Sequence, residues 1–316
     1  MLSGDTALVK YPSKGFPYVP GLDVCGQVVE AVPPFAVGDW VVATWGDAFG
    51  AGGAAEYSVV DPALTVPKPE GLDCVGAAAL ANSAGHALMA LRAAKVQPGD
   101  RVLVLGGSGG VGTAMVQLAR TAEFGASYVA ATSTDVGLLA SLGVDRPIDY
   151  SQEDWSRLDE FVARPFDVII DCAEGVAAWR RVRDGSGVLR AGGRFVAVVL
   201  NEWHIQMTRW WHLPAFLLPP LGRMLRSRLG RTRYAMYVGT LDGSVLAELL
   251  RLAEGGQLRP VVDPEGPYPL STDGAVAAFE RLASRRAKGK VVVAISAPQS
   301  TDRGEGAEGG NVSGEA

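Results

Sequence analysis

The chain has 316 residues, of which 48% are hydrophobic and 20% charged, with a formal net charge of −5. This length exceeds that of a usual single domain and predicts two domains around a shared cleft. The acidic balance argues against the basic surface that nucleic-acid binding requires, so we expect no nucleic-acid partner. Cys25, Cys74 and Cys172 are odd in number and far apart, which excludes a disulfide framework and a four-thiolate zinc site.

Two stretches bear on the compartment. Residues 1–20 have neither an apolar signal core nor an Arg-rich amphipathic pattern. The apolar stretch 210–221 is interrupted by Pro214, Pro219 and Pro220 and is shorter than the ~20 residues that cross a bilayer. We therefore expect a cytoplasmic protein without a transmembrane segment.

Short β segments separated by turns are predicted in the first part of the chain. Their β-branched residues and the Gly and Pro residues between them are typical of a small barrel-like unit. The predicted strands cover residues 24–32, 40–44 and 56–60.

After Pro69, strands alternate with helices, a pattern that predicts parallel βαβ units and an α/β sheet. The predicted helices are 74–95, 110–121 and 136–142, and the strands are 101–105, 126–132, 168–171 and 194–200. From Pro260 the chain returns to short extended pieces, with a helix at 272–284 and a strand at 290–295. Residues 297–316 contain almost nothing apolar, so we expect a disordered tail.

A glycine-rich loop, residues 106–112, follows the predicted strand 101–105 and opens the helix after it. Gly107, Gly109 and Gly112 satisfy G-x-G-x-x-G in the context that dinucleotide binding requires. Unpaired N–H groups and the positive helix dipole then face a pyrophosphate. Gly106, Gly110 and Gly112 also fit the loop of short-chain reductases, but no tyrosine here is followed by a lysine four residues later, so we reject that alternative.

The end of the next strand, 126–132, bears on the choice between NADPH and NADH. An NAD site usually has a carboxylate there that binds the ribose 2′-hydroxyl. This chain instead has Thr132, Ser133 and Thr134, which do not repel a 2′-phosphate. Asp135 leaves the NADH alternative open unless it caps the following helix. The pattern favours NADPH.

Several motifs in the same order resemble zinc-free medium-chain dehydrogenases/reductases of the quinone-oxidoreductase-like type, and most closely their reticulon-4-interacting-protein-1-like branch. The matching stretches are GLDVCG (21–26), VGDWV (37–41), GGSGGVG (106–112), IDY (148–150), LRAGGR (189–194), GGQLRPV (255–261), AFERL (278–282) and KGKVVV (288–293).

The resemblance implies a Rossmann doubly wound parallel sheet plus a partial GroES-like β-rich domain. Residues 1–90, an amino-terminally truncated GroES-like domain, would be completed by 262–296, and residues 91–261 would form the Rossmann NADP-binding domain. Some members of the branch are targeted to organelles, so the resemblance also allows a mitochondrial location. We further expect a homodimer.

The resemblance also implies site residues. Ser108, Gly109, Gly110 and Val111 would wrap the pyrophosphate, between Gly107 and Gly112. The adenine ribose phosphate would be contacted by Thr132, Ser133 and Tyr150. Tyr237 would lie near the cofactor, and Arg286 and Lys288 would belong to a basic segment that closes over it. His86 stands where the family often has a threonine facing the nicotinamide, which makes it the candidate catalytic residue. Asp23 is expected to brace the domain interface.

No metal is expected, because Leu22 stands where zinc-dependent relatives have a histidine ligand and His86, His204 and His212 are isolated. The implied activity is hydride transfer from NADPH to a quinone or an activated enone or enoyl double bond. A non-catalytic NADPH-binding scaffold or truncated pseudoenzyme is the alternative. Residues 203–235 interleave Trp and Phe with Arg, which predicts either a helical insertion over the cleft or a peripheral contact with an anionic membrane.

Overall fold

The computed structural model describes residues 19–45, 52–199 and 213–295, without the side chains of residues 213, 215 and 216. The predicted tail 297–316 and residues 203–212 of the predicted segment 203–235 therefore lie outside the described residues. Within them, a small antiparallel sheet has the order β1 (Asp23–Gln27), β2 (Trp40–Thr44) and β3 (Thr65–Pro67). Asp23 pairs with Thr44, and Val42 pairs with Val66.

The prediction of a strand at 56–60 was wrong. Tyr57 and Val59 are 74% and 88% exposed and form no ladder, whereas Thr65–Pro67 pairs with β2. A 3₁₀ turn, Pro62–Leu64, capped by the Asp61 side chain, separates the two stretches and directs the chain back to β2. Residues 56–60 have a composition typical of a strand but no strand edge in the described sheet with which to pair.

A six-stranded parallel sheet has the order β6-β5-β4-β7-β8-β9. Its strands are β4 (Arg101–Leu105), β5 (Tyr128–Ser133), β6 (Arg146–Asp149), β7 (Phe166–Asp171), β8 (Leu189–Ala197) and β9 (Arg233–Met236). The strand order extends to both sides of β4, as in a doubly wound fold. The predicted fold class is therefore confirmed. Both faces of the sheet are covered by buried apolar side chains, which explains why its central strands are almost continuously hydrophobic.

Eight helices are described: α1 (Cys74–Ala93), α2 (Gly110–Leu118), α3 (Val136–Ser141), α4 (Asp159–Ala163), α5 (Val176–Arg183), α6 (Leu213–Ser227), α7 (Gly243–Glu254) and α8 (Thr272–Ala283). By length and composition α1 could cross a membrane. In the fold, 67% of its apolar window is buried, because α1 packs between β1, α2 and α7.

The last part of the chain returns to the loop at the carboxyl end of β4. A two-stranded parallel pair, β10 (Tyr268–Pro269) and β11 (Val293–Ala294), flanks α8, so the strand predicted at 290–295 is much shorter. We call residues 286–290 the return segment. Gly289 forms a parallel bridge with Gly109, and Lys290 forms one with Val262. The return segment thus lies against the glycine loop.

Candidate functional site

The glycine loop, residues 106–112, joins the end of β4 to the start of α2, and its glycines are there for steric reasons. Gly106 has φ +81°, a conformation that side chains rarely adopt. A Cβ on Gly107 would lie 2.7 Å from the Ala131 Cβ, and one on Gly112 would overlap the Gly106 carbonyl oxygen. The loop, α2 and β5 therefore approach each other more closely than side chains would permit.

The start of α2 presents unpaired backbone donors. Its N-cap residue, Gly109, has no side chain to satisfy them, and the first helical hydrogen bond is donated by the Thr113 N–H to Gly109. The N–H groups of Gly110, Val111 and Gly112 have no hydrogen bond to another described residue. Together with the positive end of the helix dipole they form a site for a phosphate group. The loop predicted from the sequence thus has the geometry that a dinucleotide needs.

The hydroxyl residues at the end of β5 are buried. Thr132 and Ser133 are each 1% exposed. Thr132 Oγ1 accepts the Gly106 N–H at 2.9 Å, and Ser133 Oγ accepts the Asp135 N–H at 2.8 Å. Each hydroxyl uses an acceptor position to shape the turn and keeps its own hydrogen to donate.

Asp135 caps α3, as one of the two sequence-based alternatives proposed. Its Oδ1 accepts the Leu138 N–H at 2.9 Å. That oxygen is occupied in holding the helix, which removes the main objection to a 2′-phosphate at the end of β5.

Lys288 carries a cation to the same corner of the site. Its Nζ donates to Thr134 Oγ1 at 2.9 Å, and its backbone N–H donates to Asp263 Oδ2 at 2.7 Å. Asp263 is fully buried and paired with Arg281 at 2.9 Å, which fixes the backbone that carries Lys288. Partial burial lowers the pKa of Lys288 from its usual value.

Tyr150 and Arg286 lie at the periphery of this corner. Tyr150 follows β6 and is 56% exposed. Arg286 is exposed, and its backbone N–H donates to Ser284 Oγ at 3.2 Å. Both side chains are free to turn toward a ligand without first leaving the core.

His86 and Tyr237 are brought together from distant parts of the sequence. His86 Nδ1 and Tyr237 Oη are 2.9 Å apart, and the two rings meet edge to face. Burial lowers the pKa of His86, with the charge of Lys290 adding to the effect and that of Asp23 opposing it. Burial raises the pKa of Tyr237 to about 12. At neutral pH the pair is therefore uncharged and shares a hydrogen bond.

An ion pair that the sequence did not reveal connects the parts of the site. Asp23 Oδ2 accepts from Lys290 Nζ at 2.7 Å, and Asp23 Oδ1 accepts the Asn82 N–H at 2.8 Å. Lys290 Nζ also donates to Ser83 Oγ, which lies beside Gly110. Asp23 thus ties β1 to α1 and to the return segment, whereas its role at a domain interface stays a prediction.

Asp171 is a second residue that the sequence analysis missed. It ends β7, is fully buried, and its Oδ1 accepts the N–H groups of Ala173 and Glu174 at 3.0 and 2.8 Å. Its Oδ2 has no hydrogen-bond partner among the residues that the structure describes. Burial raises its pKa to about 7. The position of an aspartate at the carboxyl end of a buried strand beside β4 was the available clue.

Two sequence families match the chain. One is described as "Alcohol dehydrogenase GroES-like domain" and matches residues 2–70, and the other, "Zinc-binding dehydrogenase", matches residues 142–293. Residues 19–45, 52–199 and 213–295 contain no group of three His, Cys, Asp or Glu side chains that could hold a metal, so no zinc ligands are assigned among them.

Proteins of similar sequence include a 2-methylene-furan-3-one reductase of Solanum lycopersicum (35% identical, 88% of this chain, 63% of the relative). An NADPH-dependent alkenal/one oxidoreductase of Arabidopsis thaliana is 34% identical over 88% of this chain and 64% of its own length. The chain thus spans less than two thirds of these two relatives. It spans 80% of the quinone-oxidoreductase QR1 of Triphysaria versicolor, to which it is 30% identical over 88% of its own length.

Solved structures share the fold. The quinone oxidoreductase from Coxiella burnetii superposes with a TM-score of 0.71 at 26% identity, over 92% of this chain and 83% of that chain. The quinone oxidoreductase from Thermus thermophilus, solved also with NADPH, has a TM-score of 0.63 at 27% identity, over 88% and 81%. With its parallel sheet, its glycine loop and a relative matched over four fifths of its length, the chain belongs to the medium-chain dehydrogenase/reductase family.

Proposed function

We propose that this protein is an NADPH-dependent oxidoreductase that reduces a quinone or an activated enone or enoyl double bond without a zinc ion. The observation that carries the proposal is the row of unpaired N–H groups from Gly110 to Gly112 at the carboxyl edge of the parallel sheet. The names of the similar proteins, which include alkenal/one and quinone oxidoreductases, support the same class of reaction.

The diphosphate of the cofactor would lie against the glycine loop. Gly107 and Gly112 allow α2 to pack closely against the strand. The space beside Gly109 at the start of the helix is open, since a Cβ there would meet no other described atom closer than 3.7 Å. Ser108 and Val111 would complete the wrap, and Gly110 begins the helix whose dipole favours the anion.

The 2′-phosphate would lie between the end of β5 and the return segment. Lys288 supplies the charge there, and Thr132 and Ser133 shape the turn from beneath. Tyr150 and Arg286 would close over the adenosine from the exposed side. The cation of Lys288, together with the use of Asp135 as the cap of α3, favours NADPH over NADH.

NADPH, when bound, supplies a hydride to the electron-poor carbon or quinone ring. The chain's own share is to orient the two reactants, to exclude water and to neutralise the negative oxygen that develops. We assign the proton to the pair of His86 and Tyr237. The raised pKa of Tyr237 keeps its hydroxyl protonated, and the adjacent neutral imidazole can exchange that proton along the 2.9 Å contact.

The experiment is steady-state oxidation of NADPH with a panel of quinones, enones and enoyl esters. Turnover of at least one class is expected, whereas tight NADPH binding with no turnover of any class would favour the non-catalytic scaffold instead. Tyr237→Phe should lower kcat by about 10²-fold with little change in KM and should alter the pH profile of kcat. If kcat and its pH profile were unchanged, the proton assignment would be wrong.

We also propose the domain division implied by the resemblance. Residues 1–90 with 262–296 would form the GroES-like unit and residues 91–261 the Rossmann unit, in the reticulon-4-interacting-protein-1-like branch. Support comes from the antiparallel sheet β1–β3, from the bridge between Gly289 and Gly109 of the glycine loop, and from the bridge between Val262 and Lys290. Expression of residues 91–261 alone tests the division, because a separate Rossmann unit should fold and bind NADPH weakly. An unfolded product would contradict it.

A peripheral membrane contact is proposed for the described part of 203–235. Leu218, Leu225 and Leu229 are exposed, spaced as one stripe along and beyond α6, beside the exposed cations Arg226 and Arg228. An apolar stripe next to cations is typical of a helix that lies on an anionic lipid surface. Sedimentation with anionic liposomes should therefore be lost when the three leucines are changed to glutamine. Equal sedimentation of the wild type and that variant would refute the contact.

Two further proposals concern assembly and compartment. Among the described strands β9 lies at the edge of the sheet, a position at which a second chain could pair, which supports a homodimer. A monomeric mass in light scattering would contradict this. The relatives include proteins named chloroplastic, which supports a location in an organelle, mitochondrial or otherwise, over the cytoplasm. The location of a tagged chain in cells distinguishes the two.

A further inference from the structure

Two cysteines outside the candidate site lie in contact. Cys25 lies in β1, Cys74 is the first residue of α1, and their Sγ atoms are 2.7 Å apart. Both are half-buried free thiols, so small reagents can reach them. They are 49 positions apart in the sequence, a separation at which no spacing pattern would have paired them. The sequence accordingly predicted no disulfide.

The surroundings make one of the two sulfurs a nucleophile. The thiol of Cys25 donates to Cys74, and this hydrogen bond lowers the pKa of Cys74 although burial and the charge of Asp73 oppose it. The ammonium group of Lys68, held nearby by the carbonyl oxygens of Pro69 and Leu72, lowers it further. The amino end of a 20-residue helix also favours a thiolate. The pKa of Cys25 is raised by the same hydrogen bond and by burial, so Cys25 keeps its proton.

We propose that Cys25 and Cys74 form a reversible disulfide by exchange with a low-molecular-weight disulfide such as oxidised glutathione. The Cys74 thiolate attacks one sulfur of the reagent, forms a mixed disulfide and releases one glutathione thiolate. Cys25 then loses its proton to that thiolate and attacks the Cys74 sulfur, which forms the new bond and releases the second glutathione. Two protein thiols are oxidised and one molecule of glutathione disulfide is reduced to two thiols.

The bond would fasten elements that already meet. β1 and α1 are joined by the hydrogen bond of Asp23 to the Asn82 N–H, so the disulfide adds a covalent link to an existing contact. It closes a loop of about 50 residues in the unfolded chain, which corresponds to a rise in Tm of about 5–10 °C. The native arrangement of the glycine loop is unchanged, so NADPH affinity should be the same in both redox states.

The test is peptide mapping of the full chain after incubation with oxidised glutathione, with dithiothreitol-treated protein as the reference. A peptide pair linked through Cys25 and Cys74 is expected, with Cys172 left as a free thiol. Persistence of glutathione on Cys74, pairing with Cys172, or two thiols that both remain free to alkylation would each overturn the proposal. This measurement needs no variant and therefore does not depend on how substitutions affect folding.

Thermal unfolding provides the second readout. Oxidised glutathione should raise the Tm of the wild type and leave that of Cys25→Ser unchanged, because the variant cannot resolve the mixed disulfide. Dithiothreitol should reverse the rise. An equal shift in the variant would assign the effect to some other modification. None of these results depends on NADPH binding or turnover, so the failure of this proposal and that of the oxidoreductase proposal are distinguishable.

Discussion

Substituting Gly109 by alanine separates what the glycine loop does for the fold from what it does for a ligand. Gly109 has φ −77° and ψ 173°, which any residue adopts, and a Cβ there would approach only the Gly106 carbonyl oxygen, at 3.7 Å. We therefore expect Gly109→Ala to fold with wild-type stability, within about 0.5 kcal/mol. The added methyl would, however, stand at the N-cap of α2, where a phosphate must approach the free N–H groups.

The cost to binding follows from the hydrogen bonds at stake. A hydrogen bond to a charged group contributes about 1.5–3 kcal/mol, and 1.4 kcal/mol corresponds to a tenfold change in affinity. If the methyl prevents one such bond from the N–H groups of Gly110 to Gly112, NADPH affinity should fall by about 10- to 100-fold. Gly112→Ala should differ, because its Cβ overlaps the Gly106 carbonyl oxygen in the unliganded fold and stability must fall as well.

Isothermal titration with NADPH and urea unfolding measure the two quantities on the same samples. Gly71→Ala is the matched control, since a Cβ at Gly71 meets no atom within 4 Å and lies far from the loop in sequence. Unchanged NADPH affinity in Gly109→Ala would refute the reasoning. A large loss of stability in that variant would show that the loop is packed more tightly than described.

Three further predictions rest on substitutions. Lys288→Gln should weaken NADPH binding by about 10-fold or more and leave NADH binding unchanged, as titration with both nucleotides would reveal; an equal loss for both would place the lysine away from the 2′-phosphate. Gly289 has φ +78°, and a Cβ there would overlap the Val261 carbonyl oxygen, so Gly289→Ala should lower the free energy of unfolding by about 2–4 kcal/mol. Gly143 has φ +80° but open space around it, so Gly143→Ala should lower that free energy by only about 1 kcal/mol. Equal losses in urea unfolding would contradict this reasoning. Asp171 stays protonated in the folded protein up to about pH 7 but ionises near pH 3.8 in the unfolded chain. Its contribution to the free energy of unfolding is therefore fully present below pH 3.8 and is lost as the pH rises through 7, a loss of up to about 4 kcal/mol. Asp171→Asn should flatten this dependence, and parallel curves of stability against pH would contradict the raised pKa.

The sequence was sufficient for the four central strands of the parallel sheet because they are short apolar runs set between helices, whereas the edge strands β6 and β9 were not predicted. Residues 101–105 were predicted with the observed bounds of β4, and the glycine loop was found from three glycines in the context of a strand and a helix. These features are local, so one stretch of sequence contains all the information. The predicted strand at 56–60 failed because a strand also needs a partner, and the edge of β2 was taken by residues 65–67.

Contacts between distant residues could not be read from the sequence. Asp23 and Lys290 are separated by 267 positions, and the pair of His86 and Tyr237 by 151. Nothing in the local pattern of either residue specifies its partner. The approach of Gly289 to the glycine loop likewise depends on the return of the chain from α8. The glycine loop was therefore predictable, whereas the contacts among the groups around it required the fold.

Isothermal titration of the full-length chain with NADPH, repeated with NADH, tests the central claim most directly. The account predicts one molecule of NADPH bound per chain and at least tenfold weaker binding of NADH, because Lys288 attracts the 2′-phosphate and Asp135 is occupied as a helix cap. Absence of nucleotide binding, or tighter binding of NADH, would contradict it.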